Sequence, residues 1–294
     1  MEYNQILIGD CFELIKTLPD NSIDLVITSP PYADIISSYG KDVSIKKPTE
    51  YVDWILPLFN EIYRVLKPTG SFILNINHNV NKGVVNPFVY ELIYRSQKET
   101  KLKLYSDLYW YKKGGIPNGS KKRFRNLTEF IFHFVKDPKQ LKFYMERVLE
   151  EPAESYIKRA ESPMNDDSKI VDGKRVRQKV RYMKNITEGK QDHVYKYRLL
   201  PDKIRPDNVF RFKTAAADRT NIVRHPAPFN RELPEYFINL LTDEGDVVLD
   251  VFSGIGTTGL PCKDMNRQYI GFELNPTYAE FSIDRINGDL DKWK

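Results

Sequence analysis

The chain has 294 residues, 41% of them hydrophobic and 29% charged, with a mean hydropathy of −0.51. That supports a real core, in one large domain or in a domain carrying an insertion, and excludes a membrane-embedded protein, because no apolar run approaches the roughly 20 residues of a membrane helix. The net charge of +5 is uneven: residues 112–213 hold 26 basic and 14 acidic residues, a net of +12, which leaves −7 elsewhere; a polyanion partner met by the basic middle is one reading of this and a solvated charged surface the other.

The start, MEYNQILIGD, carries an acid and amides where a secretory leader carries basic residues and then an apolar stretch, so the cytoplasm is the expected location. QILI at 5–8 and IDLVIT at 23–28 read as short buried strands, with a helical stretch, CFELIKTL, between them. Thr28 is followed at once by Ser29, Pro30, Pro31 and Tyr32. Two adjacent prolines end a strand, because neither donates to the ladder. Residues 33–50 read as a polar loop. A helix follows, with Val52, Ile55, Leu56, Phe59, Ile62 and Leu66 on one stripe and a bend expected at Pro57; KPTG closes it and SFILNIN is another buried strand. Residues 87–97 look helical. LKLYSDLYWYKK and LTEFIFHFV read as long strands, joined by a Gly- and Lys-rich segment that contains KKRFR.

Periodicity is poor over 136–206, which reads as an insertion. NVFRF then reads as a strand, RELPEYFINLLT as a helix, DVVLDVF as a strand running into SGIGTTG, QYIGFEL as a strand and NPTYAEFSIDRI as the last helix, with another helix expected to begin near Thr257. Alternation of strands and helices predicts an α/β fold, a mostly parallel sheet with helices on both faces. Cys11 and Cys262 lie far apart, and His78, His133, His193 and His225 are scattered; none matches a metal-ligand spacing, so no metal is expected.

Gly254, Gly256 and Gly259 form G-x-G-x-x-G between a strand and a helix, and Glu273 ends the next strand about 20 residues on. This is the spacing of a nucleoside-cofactor loop: a tight turn, a close backbone approach, and an acid for ribose hydroxyls. It stands near the C-terminus, with only about one βαβ unit after it, so the remaining strands must come from the N-terminal half and the fold is expected to be circularly permuted. A nicotinamide enzyme would normally carry this loop on its first strand.

In this order the motifs resemble the beta class of S-adenosylmethionine-dependent DNA amino-methyltransferases. SPPY resembles the catalytic tetrapeptide, IGDCFELIKTLPDNSIDLVITSPPY the family's opening, HPAPFNRELPEYFINLLT the segment leading into the cofactor half, DVFSGIGTTG the methionine-binding loop, and IGFELNP the ribose-binding strand end. Val251 departs from the proline often found there. The resemblance implies a Rossmann-like methyltransferase fold in three parts: a catalytic half over 1–135, an inserted basic target-recognition region over 136–206, and a cofactor half over 207–294.

It also implies a set of roles. Ser29, Pro30, Pro31 and Tyr32 would be catalytic. Asp10, Cys11, Pro226, Phe229, Asp250, Phe252, Ser253, Gly254, Gly256, Thr257, Thr258 and Glu273 would bind S-adenosyl-L-methionine, with Thr257 and Thr258 at a helix N-terminus facing its carboxylate. Asp10 equally suits an N-cap for CFELIKTL. Lys121, Lys122, Arg123, Arg125, Lys174, Arg175, Arg177 and Arg181 would meet double-stranded DNA, most of them at phosphates. Trp110 is either a second stacking face or ordinary strand packing, and Cys262 reads as a packed helix residue. Serine before PPY usually accompanies methylation of cytosine N4, and aspartate or asparagine more often that of adenine N6. The implied setting is a restriction–modification system with a cognate endonuclease, the enzyme a monomer or homodimer. A methyltransferase for RNA or protein, a non-catalytic DNA-binding protein on the same fold, and a nicotinamide dehydrogenase stand as alternatives.

Overall fold

The structure is a computed structural model that describes residues 2–33, 47–112, 122, 124–155, 157, 181–182, 196–197, 203–212 and 230–293. Contacts divide the chain into two compact units, one made of Met1–Arg147 with Asp207–Lys294 and the other of Val148–Pro206.

The first unit is built on a sheet whose strands we number β1 (Gln5–Ile8), β2 (Ile23–Thr28), β3 (Leu66–Ile76), β4 (Lys103–Tyr111), β5 (Thr128–Val135), β6 (Val209–Phe210), β7 (Val247–Asp250) and β8 (Gln268–Glu273). Its spatial order is β1-β8-β7-β2-β3-β5-β4-β6. Every pairing is parallel except the two made by β5. The C-terminal strands β7 and β8 therefore sit between β1 and β2, as the permuted order requires. The helices are α1 (Cys11–Leu14), α2 (Pro48–Val65), α3 (Phe88–Glu99), α4 (Glu232–Leu241), α5 (Gly259–Asp264) and α6 (Pro276–Asn287). None of the described helices is long and apolar enough to cross a membrane.

All six residues of β2 are buried. Because strand side chains alternate between faces, both faces of the sheet's centre are covered. On one face Val247, Leu249, Ile270, Phe272, Phe72 and Leu74 pack with the apolar stripe of α2, and Phe59, Phe72 and Phe134 form a ring cluster with centroids 5.1–5.6 Å apart. Pro48 opens α2 at its first turn, so the helix reaches into the segment expected to be loop. Pro57 lies inside α2 without ending it; it is exposed, on the side where water can satisfy the carbonyl it leaves free. Lys67–Gly70, expected as a turn, lies within β3, but the register jumps there from Ile23↔Leu66 to Leu25↔Ser71, so these residues bulge from the ladder.

Residues 136–147, expected in the insertion, pack on the sheet unit instead. Lys136 Nζ donates to Leu66 O at 2.6 Å, Tyr144 N to Leu240 O at 2.9 Å, and Lys142 Nζ to Asp246 at 2.6 Å. In the second unit, Glu150 bridges Ile204 and Arg181–Tyr182 pairs with Lys196–Tyr197, both antiparallel.

One buried charge secures the starts of β2 and β7. The Asp24 carboxylate is 2% exposed and accepts from Lys67 Nζ at 2.6 Å and from Val247 N at 2.9 Å. Alanine there orphans the Val247 N–H and is expected to cost about 2 kcal/mol. The urea midpoint should fall, while ligand affinity at the opposite edge of the sheet should hold; loss of both would contradict this division of labour.

Candidate active site

Four neighbouring parallel strands, β1, β8, β7 and β2, deliver their C-terminal ends to one edge. In parallel α/β sheets that edge is where ligands bind. β1 runs into Gly9 and Asp10, β8 ends on Glu273, β7 runs into Val251–Gly254 and β2 into Ser29–Tyr32. The loops are tied to one another. Gly9 N donates to Glu273 O at 3.0 Å, and Ser253 N to Phe272 O at 2.9 Å. Glu273 accepts through Oε2 from Gly254 N and through Oε1 from Asn275 N, each at 2.8 Å. Partial burial of Glu273 raises its pKa above the usual 4.5.

Asp250 is the hub. It is 1% exposed; its Oδ1 accepts from the Thr28 hydroxyl at 2.6 Å and from Phe252 N at 3.1 Å, and its Oδ2 from the Thr258 hydroxyl at 2.6 Å. Burial pushes its carboxyl up to about 6 even though all three bonds pull it down. The Thr28–Asp250 bond clamps the residue just before SPPY to the start of the glycine loop, 222 positions away in sequence.

The loop's threonines stand at the start of α5, with Thr258 at its N-cap. α5 starts at Gly259 and has six residues. Thr258 is fully buried with its hydroxyl held by Asp250, and the buried Thr257 hydroxyl accepts from Arg285 at 3.4 Å. Both hydroxyls thus tie down the loop. Ser253 is buried and its Oγ accepts from the Tyr269 hydroxyl at 3.0 Å. Cys11 is buried at the first position of α1, with its thiol pushed up to about 12 by desolvation; it acts as a small apolar residue. Asp10 is exposed and caps α1 by accepting from Phe12 N at 2.8 Å. Phe252 lies 6.1 Å from Trp54, which lies 5.6 Å from Phe12, in a half-buried aromatic row at this edge.

Gly256 has φ of +75°, and a Cβ there would stand 2.1 Å from Ser282 Oγ. Gly256→Ala is expected to force the loop off α6 and to weaken S-adenosylmethionine binding at least 10-fold, with a cost of about 1–3 kcal/mol for the strained backbone. Calorimetric titration checks this; unchanged affinity would remove the loop from the binding site.

In SPPY, Ser29, Pro31 and Tyr32 are half-buried and Pro30 is buried. The Tyr32 hydroxyl donates to Glu129 Oε2 at 3.0 Å. Asn75 Nδ2 donates to the same oxygen at 3.0 Å, and Lys112 pairs with Oε1. Trp110 packs in its strand, 3% exposed, with its indole N–H on Phe212 O at 3.1 Å. Cys262 is fully buried in α5. Of the basic residues, Lys122 and Arg125 are exposed and flank a wholly exposed Phe124. Lys121, Arg123, Lys174, Arg175 and Arg177 lie outside the described residues, as do Pro226 and Phe229; Arg181 lies in the short strand pair of the second unit.

Residues 23–284 match the model of the N6/N4 methyltransferase family, described as DNA methylase. The chain belongs to this family. Among individual methylases it is 29% identical to type II methyltransferase M.PvuII of Proteus hauseri, over 95% of this chain and 82% of that one. It is 27% identical to DNA adenine methyltransferase YhdJ of Escherichia coli K12, over 97% and 83%. The solved PvuII DNA methyltransferase (cytosine-N4-specific) superposes with a TM-score of 0.67 at 25% identity, covering 98% of this chain and 91% of that one. The M1.HpyAVI–SAM complex shares the fold, with a TM-score of 0.53 at 21% identity over 96% and 98%.

Three residues of this DNA methylase's edge escape a motif-based reading: Thr28, Asn75 and Glu129. Glu129 left a signal, an acid inside the otherwise aromatic and aliphatic run TEFIFHFV, since a carboxylate is buried only with partners.

Proposed function

We propose that this methylase transfers a methyl group from S-adenosyl-L-methionine to the exocyclic N4 amine of a cytosine flipped out of duplex DNA. The observation that carries the proposal is the Thr28–Asp250 clamp, which sets Ser29 beside the glycine loop at one sheet edge. The residues present fit the cofactor. Each oxygen of Glu273 keeps acceptor capacity for a ribose hydroxyl after its backbone bond, and the positive φ of Gly256 permits a close backbone approach. Asp10, Asp250, Phe252, Ser253, Gly254 and Glu273 shape this pocket in the proposal, and Pro226 and Phe229 complete it.

S-adenosylmethionine supplies a sulfonium methyl for direct displacement, so alignment dominates the chemistry. The exocyclic amine is a poor nucleophile, because its lone pair is delocalised into the ring. Ser29 Oγ and the Pro30 carbonyl accept its two N–H bonds and favour a pyramidal nitrogen with an available lone pair. Pro30 and Pro31 hold these oxygens in place. Tyr32 offers a stacking face worth about 1–3 kcal/mol, against the few kcal/mol that extrusion of the base costs. The basic residues at 121–125 and 174–181 bind the DNA backbone, and the compact unit Val148–Pro206 serves as the target-recognition region.

Ser29 and the likeness to a cytosine-N4-specific enzyme favour cytosine. Adenine N6 is the second reading, supported by the likeness to a DNA adenine methyltransferase, because both amines need the same two acceptors. The likeness to type II methyltransferases supports a cytoplasmic restriction–modification pairing with an endonuclease, the methylase acting as monomer or homodimer. The test is incubation with labelled S-adenosylmethionine and mixed-sequence duplex DNA, followed by digestion to nucleosides. N4-methylcytosine supports the proposal, N6-methyladenine replaces it with the second reading, and the absence of any methylated nucleoside overturns both.

A further inference from the structure

Glu129 is 6% exposed in β5 and collects three donors from three other strands or strand ends: the Tyr32 hydroxyl and Asn75 Nδ2 on Oε2, and Lys112 Nζ on Oε1. Such a convergence needs a group that only accepts. A carboxylate meets that need, whereas an amide turns its own N–H₂ toward one of the donors. The arrangement also spans the candidate site. Tyr32 belongs to SPPY, Asn75 lies near the end of β3, next to β2 in the sheet, and Lys112 directly follows β4, with its ammonium 5.3 Å from the centre of the Trp110 ring. The half-buried ring of Tyr32 packs against the core on one side, and the hydroxyl bond supplies a second anchor.

We propose that Glu129 is a positioning residue for the methyl-transfer reaction: through the Tyr32 hydroxyl it holds the face on which the target base stacks, and through Lys112 it joins that face to the start of the segment leading to the basic KKRFR residues. This rests on the proposed methyltransferase reading. It assigns the Tyr32 hydroxyl a task separate from stacking, since phenylalanine stacks equally well. Asn75 follows as the group that steadies Glu129 from the β3 side, because its Nδ2 also holds Phe130 O at 3.1 Å.

The test compares wild type, Glu129→Gln, Tyr32→Phe and the double variant in single-turnover methylation of duplex DNA, with S-adenosylmethionine affinity measured by calorimetry. Wild-type methylation is the entry condition; an inactive wild type overturns the function proposed above and is thereby distinguished from failure of the Glu129 assignment. Each single variant is expected to lose about 10- to 100-fold in rate with cofactor affinity unchanged. The double variant is expected to fall short of the product of the two single losses, because both changes act on the Tyr32–Glu129 bond while Glu129→Gln also weakens the Lys112 pair. Tyr32→Phe removes the same bond without touching the buried carboxylate, so the assignment stays testable if Glu129→Gln folds poorly. A wild-type rate in Tyr32→Phe or in folded Glu129→Gln, or losses that multiply in the double variant, would overturn it.

Discussion

Replacing Ser29 by alanine is expected to slow methyl transfer by about 100-fold, the usual cost of removing one fixed polar group at a reacting centre. The affinity for S-adenosylmethionine should not change, because Ser29 follows β2 whereas the proposed pocket draws on β7, β8 and the loop after β1. Stability should hardly change either: Ser29 is half-buried and lies outside the strand ladder. The signature is a lower kcat at unchanged KM for the cofactor, read by filter binding of labelled DNA. A wild-type rate would remove SPPY from the chemistry, and a loss confined to KM would make Ser29 a binding residue alone.

The second large effect belongs to Asp250. Alanine leaves three donors unpaired at a site that is 1% exposed: the Thr28 and Thr258 hydroxyls and the Phe252 N–H. At about 1–3 kcal/mol each, allowing for reorientation of the two hydroxyls, a total near 4 kcal/mol is expected, a large part of a typical domain's stability. S-adenosylmethionine binding should be lost with it. Asparagine behaves differently. Its oxygen can keep the Thr28 and Phe252 bonds, and its N–H₂ can donate to the Thr258 hydroxyl, which accepts as readily as it donates.

That contrast has a pH dependence. The unfolded chain ionises this carboxyl near its ordinary 3.8, whereas burial in the folded state raises it to about 6. Between those values the folded protein holds a proton that the unfolded chain has released. Stability therefore falls as pH rises from about 4 to about 6, by about 3 kcal/mol, and stays at the lower level above that. Asp250→Asn carries no charge to bury, so its unfolding free energy relative to wild type should rise by that amount across the window. A flat difference between pH 4 and pH 7 would show that Asp250 does not carry the buried charge.

Much of the fold was legible because its central strands are so apolar. Leu25–Ile27 and Val247–Leu249 are uninterrupted apolar runs, and α2 repeats its apolar stripe through Val52, Ile55, Phe59 and Ile62. Where local rules failed, tertiary contacts had decided. Pro57 could have ended an isolated helix, but α2 runs on through it with the proline on the solvent side. KPTG looks like a turn, and β3 absorbs it as a bulge. Residues 136–147 carry no period because they are held by single anchors, such as Lys136 on Leu66 and Lys142 on Asp246.

The site was legible wherever its residues are consecutive, as in SPPY and the glycine loop. It was not legible where chemistry depends on partners far apart in sequence. Thr258 stood out only as part of the glycine loop, and its hydroxyl ends on Asp250. Thr28 looked like the last residue of a strand, and its hydroxyl ties the end of β2 to Asp250 at the end of β7. Tyr32 looked like a ring alone, and its hydroxyl ends on Glu129.

The central claim is that the clamped edge brings Ser29 and a methyl donor together on a DNA base. It is tested most directly by methylation-aware sequencing of DNA from cells expressing the wild-type protein or Ser29→Ala. N4-methylcytosine at one short sequence with wild type, and its absence with the variant, is the predicted result; no modified base with wild type, or the same modification with Ser29→Ala, would contradict it.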